Sequence, residues 1–149
     1  MIAAQLGFCG VGAWLAHVDI REHRLPNRIL LPATACLLAL CIAAAMFGGS
    51  ASTLVRAVSG AAILGSVYVA LWAASRGGLG GGDVKLAVPI GLLLAWDGWP
   101  AFIVGAALAF VVGGIWAIGV LSTRRGTRDT HIPFGPCMVL GSVLGLCVT

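Results

Sequence analysis

Charged residues divide the chain into long uncharged, apolar stretches at residues 1–18, 29–55, 57–75, 98–123 and 132–149. A shorter sixth, at 86–96, extends through Asp97 to Trp99. A transmembrane helix needs about 17–25 mostly apolar residues, so the pattern predicts six spans that nearly exhaust the chain. The stretches are continuous and do not alternate at every second position, which excludes the strands of a membrane barrel. The expected fold is all-α, a polytopic membrane helical bundle of about six transmembrane helices forming one domain over residues 1–149. The fourth segment is short. Residues 84–96 would reach only about 20 Å at 1.5 Å per residue, which predicts a helix that starts below the membrane surface. The glycines before it then form a re-entrant stretch in a polar cavity.

Composition supports the membrane reading: 60% of residues are hydrophobic, 9% are charged and the mean hydropathy is +1.04. That leaves too little polar surface for a water-soluble globule, and lipid is the expected surroundings. The net charge of +4 comes from 9 basic and 5 acidic residues, not from a dense basic face, so no nucleic-acid partner is expected. Eight of the nine basic residues fall in the connections after spans one, three and five (Arg21, Arg24, Arg28; Arg76, Lys85; Arg124, Arg125, Arg128), leaving Arg56 near the opposite side. The cation-rich side is expected to be cytoplasmic, with both termini outside. Trp96 and Trp99 flank the opposite turn, where indoles commonly sit at the lipid interface. The five cysteines Cys9, Cys36, Cys41, Cys137 and Cys147 form no CxxC pair. They read as small buried side chains and not as a zinc site or disulfide framework.

Candidate chemistry lies in the three cation-rich connections, HVDIREHRLPNRIL, RGGLGGGDVKLAVPIG and RRGTRDTHIPFGPCMVLG. Acidic side chains at membrane depth usually face the bundle interior or a water-filled cavity, which singles out Asp19 and Asp83. Each also has a plain structural reading. Asp19 stands as a solvated loop residue beside Arg21 and Glu22, and Asp83 as an N-cap of the following helix. With six alternating spans the two carboxylates lie at one depth. Two carboxyl groups a few ångströms apart cannot both ionise, so one holds a proton and the other acts as base. The preceding glycines, Gly80 and Gly82 among them, allow close approach of backbone or substrate. Asn27 after Pro26 reads as a cap of span two, and Pro133 as a first-turn proline of span six. The glycine run lacks the GK[ST] ending of a nucleotide-binding loop.

Three motifs, in order, carry a family resemblance: Asp19 with the downstream Leu25-Pro26-Asn27, GGGDVKL at residues 80–86, and HIPFGP at residues 131–136. The chain resembles the type IV prepilin peptidase family of integral-membrane aspartic peptidases; its GxGD element is shared more loosely with presenilin-like enzymes. The resemblance implies Asp19 and Asp83 as the catalytic pair. It implies as substrate a prepilin whose short basic leader is removed at the cytoplasmic face, ahead of a hydrophobic N-terminal helix. It further implies a multi-pass protein of the bacterial inner membrane in contact with lipid, needing no cofactor and no metal. Larger members carry an extra cytoplasmic segment with paired CxxC elements and N-methylate the new terminus. This chain has no CxxC, looks like the short form associated with Flp-type (tight-adherence) pili, and is not expected to methylate.

Asp83 is the expected base, because the macrodipole at a helix N-terminus favours an anion there, whereas Asp19 ends a helix. Two roles stand for Lys85, holding substrate or snorkelling to lipid phosphate. For His131 and Pro133 they are shaping the cleft or capping a packed turn. The competing function is a small proton-coupled transporter or structural membrane subunit with Asp19 and Asp83 as a relay. What separates the two is whether the carboxylates face a laterally open groove or line a path through the bilayer. Oligomeric state is not legible in the sequence.

Overall fold

The computed structural model describes residues 27–47, 50–75, 79–122 and 134–149. Among these residues there are five helices and no strand: α1 (Asn27–Met46), α2 (Ala51–Ala74), α3 (Gly81–Asp97), α4 (Trp99–Ser122) and α5 (Gly135–Val148). The first expected span, 1–18, lies outside the described residues. Among the described residues, two helices are long and apolar enough to cross a membrane: α2, and α4 over Trp99–Gly119, with mean hydropathies of 1.8 and 2.4.

The boundary between the second and third expected spans differs from the expectation. Arg56 does not separate two spans; the break falls between Met46 and Ala51, and Arg56 sits inside α2. Ser50 sets the start of α2. Its backbone is extended (φ −99°, ψ 144°) and its hydroxyl accepts from the Thr53 N–H at 3.3 Å, satisfying one of the orphan donors of the first turn. Arg56 then donates from Nε to the Ala95 carbonyl and from Nη2 to the Trp96 carbonyl, both at 2.7 Å. These carbonyls belong to the last turn of α3, which has no intrahelical donors of its own. A cation expected to mark a membrane boundary is thus a cap on a neighbouring helix.

α3 is the centre of the bundle, touching each of the other four helices, and eleven of its seventeen residues are buried. Its closest partner is α2, and α4 pairs as intimately with α5. Small residues make both approaches possible. A Cβ on Gly91 would stand 2.9 Å from the Ala61 Cα, and one on Gly145 would stand 2.6 Å from the Gly105 nitrogen. In lipid, helices gain little from hiding apolar surface, so close van der Waals approach at such positions carries the association. Large apolar side chains also cover the outside, among them Val55, Trp72, Ile103, Ile115 and Ile118. An apolar exterior of this extent suits contact with lipid.

The two tryptophans of the α3–α4 turn part company. Trp99 is exposed and packs edge-on against Phe102, with ring centroids 5.5 Å apart, whereas Trp96 is buried in the bundle. Of the cysteines, Cys41 and Cys137 are buried as expected, but Cys36 and Cys147 are exposed on helix faces; Cys9 is outside the described residues.

Candidate functional site

Asp83 is the third residue of α3 and is only 5% exposed. The N-cap is Gly80, so the reading of Asp83 as the cap is corrected: its own N–H donates to the Gly80 carbonyl at 3.1 Å. Its carboxylate therefore sits within the first turn, where the helix macrodipole still favours negative charge. Gly81 and Gly82 belong to the helix, which begins earlier than the thirteen-residue segment expected. The glycines differ in what they face. A Cβ on Gly80 would lie 3.4 Å from Asp83 Oδ2, whereas one on Gly81 would meet nothing. Gly80, Gly82 and Asp83 thus form one corner. Lys85 is exposed and leaves the helix about 200° around from Asp83.

Residues of α2 and α5 lie within electrostatic range of this corner, and one of them belongs to an aromatic cluster. Tyr68 of α2 is buried, and its ring stacks with Phe110 of α4 (centroids 5.7 Å, planes 25° apart) and meets Phe134, the N-cap of α5, at 6.1 Å. Phe110 and Phe134 complete the triangle at 5.8 Å. The Asp83 carboxylate is within electrostatic range of the Tyr68 hydroxyl and of the Cys137 thiol of α5. Sequence reasoning missed this aromatic trio. The available signal was Tyr68 itself, the chain's sole tyrosine, a polar tip inside an otherwise apolar helix. Alongside runs an open groove of about 680 Å³ between α1, α2 and α3. Its wall along α2 extends from Val58 to Ala73, and along α3 from Leu92 to Val84, the neighbour of Asp83. The lining is almost wholly apolar, with Thr34 and Ser66 as the polar exceptions.

Asp19, Pro26, His131 and Pro133 lie outside the described residues. Asn27 opens α1 as its first helical residue and does not precede it as a cap. In α5 the first-turn proline is Pro136, since that helix begins at Gly135. Among the described residues no cluster of three His, Cys, Asp or Glu side chains could hold a metal ion.

The family model described as the type IV leader peptidase family matches residues 6–118. The chain belongs to that family. The match takes in α1, α2, α3 and most of α4, and so includes Asp19, Tyr68, Asp83 and Phe110. Among curated proteins, this family member is 30% identical over 89% of its length to a prepilin leader peptidase/N-methyltransferase of Aeromonas salmonicida, covering 44% of that protein. It is 33% identical over 87% of its length to the Pseudomonas aeruginosa protein of the same name, covering 43% of it. It is likewise 33% identical over 97% of its length to that of Escherichia coli K12, covering 62%. The chain thus spans between about two fifths and three fifths of the length of these relatives. No solved structure matches it.

Proposed function

We propose that this leader peptidase family member is a membrane aspartic endopeptidase that removes the short basic leader from type IV, Flp-like prepilins at the cytoplasmic face of the bacterial inner membrane. The observation that carries the reading is a carboxylate buried in the first turn of the central helix, beside the end of an apolar groove open to the side. A proton relay would instead need a polar path across the bilayer, and the groove beside Asp83 is apolar along its length. The names of the relatives support the same substrate class.

In the proposed reaction Asp83 and Asp19 form the pair, within a six-span chain whose termini are both outside. The ionised carboxylate takes a proton from water as the water oxygen bonds to the scissile carbonyl carbon. The protonated partner donates to the carbonyl oxygen. As the tetrahedral intermediate collapses, the C–N bond breaks, the proton taken from water passes to the departing amine, and one hydroxyl of the intermediate returns its proton to the partner carboxylate as the C=O bond re-forms. The first-turn position of Asp83 favours its anion, which assigns it the role of base; the pair titrates as a coupled unit. Neither step requires a metal. Lys85, on the opposite side of α3, is better placed for lipid phosphate than for the scissile bond.

The test is cleavage of a co-expressed Flp-type prepilin by the wild type, Asp19→Asn and Asp83→Asn, read by mass spectrometry of the pilin N-terminus. Leader removal by the wild type and its loss in both correctly inserted variants is the expected result. The spectrum also reports methylation, which is not expected of a chain without CxxC pairs. Cleavage by both variants would make these carboxylates structural. A wild type that leaves every Flp-type prepilin intact would return the pair to the relay reading.

A further inference from the structure

The groove between α1, α2 and α3 has the shape of a seat for a helix. Its α2 wall follows one face of that helix from Val58 to Ala73, about 22 Å or four turns. Six of the eight α2 residues in this wall are Ala, Gly or Ser. The α3 wall is Val84, Val88 and Leu92, each one turn from the next, and Thr34 and Leu38 of α1 complete the lining. The two walls are in register: a Cβ on Gly65 would stand 3.3 Å from Val88 Cγ2. Gly65 and its neighbour Ser66 therefore lie level with Val88, about 7.5 Å along α3 from Asp83.

Ser66 differs from the other hydroxyls of the bundle. Thr34, Ser59 and Ser142 each donate back to a carbonyl three or four residues earlier, at 2.8 Å, which pairs a hydroxyl within its own helix. Among the described Ser and Thr side chains Ser66 alone has no hydrogen-bond partner, and it is exposed in the groove. With lipid around the bundle, an unpaired hydroxyl at this depth is costly. Thr34, the other polar lining residue, already uses its hydroxyl on the Leu30 carbonyl.

We propose that this groove seats the apolar helix that follows the scissile bond of the substrate, and that Ser66 sets its register by hydrogen bonding to a polar side chain about five residues beyond that bond. The inference rests on the reading of Asp83 as the reactive carboxylate and extends it to how the substrate is held. The groove ends at Val84, beside Asp83, so a helix lying in it meets the carboxylate at its own N-terminal end. A lipid acyl chain in the same place offers Ser66 no partner. A second copy of the chain would stand between Asp83 and any substrate arriving along the groove. The small side chains of the α2 wall also favour a helix, because in lipid it is close backbone approach, not apolar character, that holds one helix to another.

Two readouts test this. Ser66→Ala is expected to raise KM for leader release about fivefold and to leave kcat unchanged, because the lost contact is made equally in the ground and transition states. An unchanged KM overturns the role of Ser66. The second readout needs no cleavage. In an Asp83→Asn chain with the five native cysteines replaced by alanine, Ser66→Cys is oxidised with copper phenanthroline in the presence of Flp-type prepilins that carry a single cysteine at successive positions of the apolar helix. Disulfides are expected to be strongest about five residues beyond the scissile bond, with weaker pairing one turn to either side. A Ser66→Cys thiol that pairs with no prepilin position, as when lipid fills the groove, or only with a second copy of the chain, overturns the inference whatever the cleavage assay shows. Pairing in the expected register, when the wild type cuts no prepilin, upholds the seat and overturns only the proposed function.

Discussion

Gly80 and Gly81 are adjacent and chemically identical, yet they face different things. A methyl at Gly81 would point into open space, and helix-interior alanine is favoured over glycine. Gly81→Ala is therefore expected to raise stability by about 0.5–1 kcal/mol and to leave leader release unchanged. At Gly80 the methyl would stand 3.4 Å from Asp83 Oδ2, in ordinary contact with the carboxylate. Gly80→Ala is expected to fold normally yet lower the rate of leader release about tenfold, because the methyl takes space that water or a carbonyl needs in a near-attack arrangement. Equal losses for both substitutions in a leader-release assay would count against this division of roles. The sequence motif treats the glycine run as one unit. Only the direction in which Asp83 folds back toward its N-cap tells the members apart.

At the scale of helices, the existence of the elements was legible and their edges were not. Uncharged runs located α1 to α5 because lipid-spanning helices must be apolar along their length. Arg56 misled for a physical reason: a charge is a poor helix breaker, and the signal that sets the helix start is the Ser50 cap. The side chain then joins α2 to the C-terminal carbonyls of α3 across about forty residues of sequence, a pairing that no local pattern encodes. Arg56→Met is expected to cost about 2 kcal/mol after allowing for partial exposure, since two charge-assisted bonds are lost. Arg56→Lys should recover about half of that, because an ammonium keeps the charge but lacks the fork that reaches two carbonyls. Thermal unfolding in a fixed detergent measures both. At the α2–α3 contact, Gly91→Val should cost about 1–3 kcal/mol by overpacking, since even a Cβ there approaches the backbone of Gly60 and Ala61.

For the whole molecule, Asp83 was singled out from its motif, whereas the aromatic cluster that holds its neighbour Tyr68 was not, because Tyr68, Phe110 and Phe134 converge from three elements with no shared sequence signal. The proposed function also requires a direction across the membrane, and α2 offers a ruler for it. Its 24 residues reach about 36 Å, more than the roughly 30 Å hydrocarbon core, so its two ends belong on opposite sides. The C-terminal end of α2 leads to the Asp83 corner, and the proposal requires that end to be cytoplasmic. Ser52 and Ala74 are exposed at the two ends and neither lines the Asp83 corner. In a background with the five native cysteines replaced by alanine, Ser52→Cys is expected to react with a membrane-impermeant maleimide in intact spheroplasts. Ala74→Cys should react only after the membrane is opened. The reverse pattern would put Asp83 on the side where no cytoplasmic leader could reach it, and labelling of both from outside would mean that α2 does not cross.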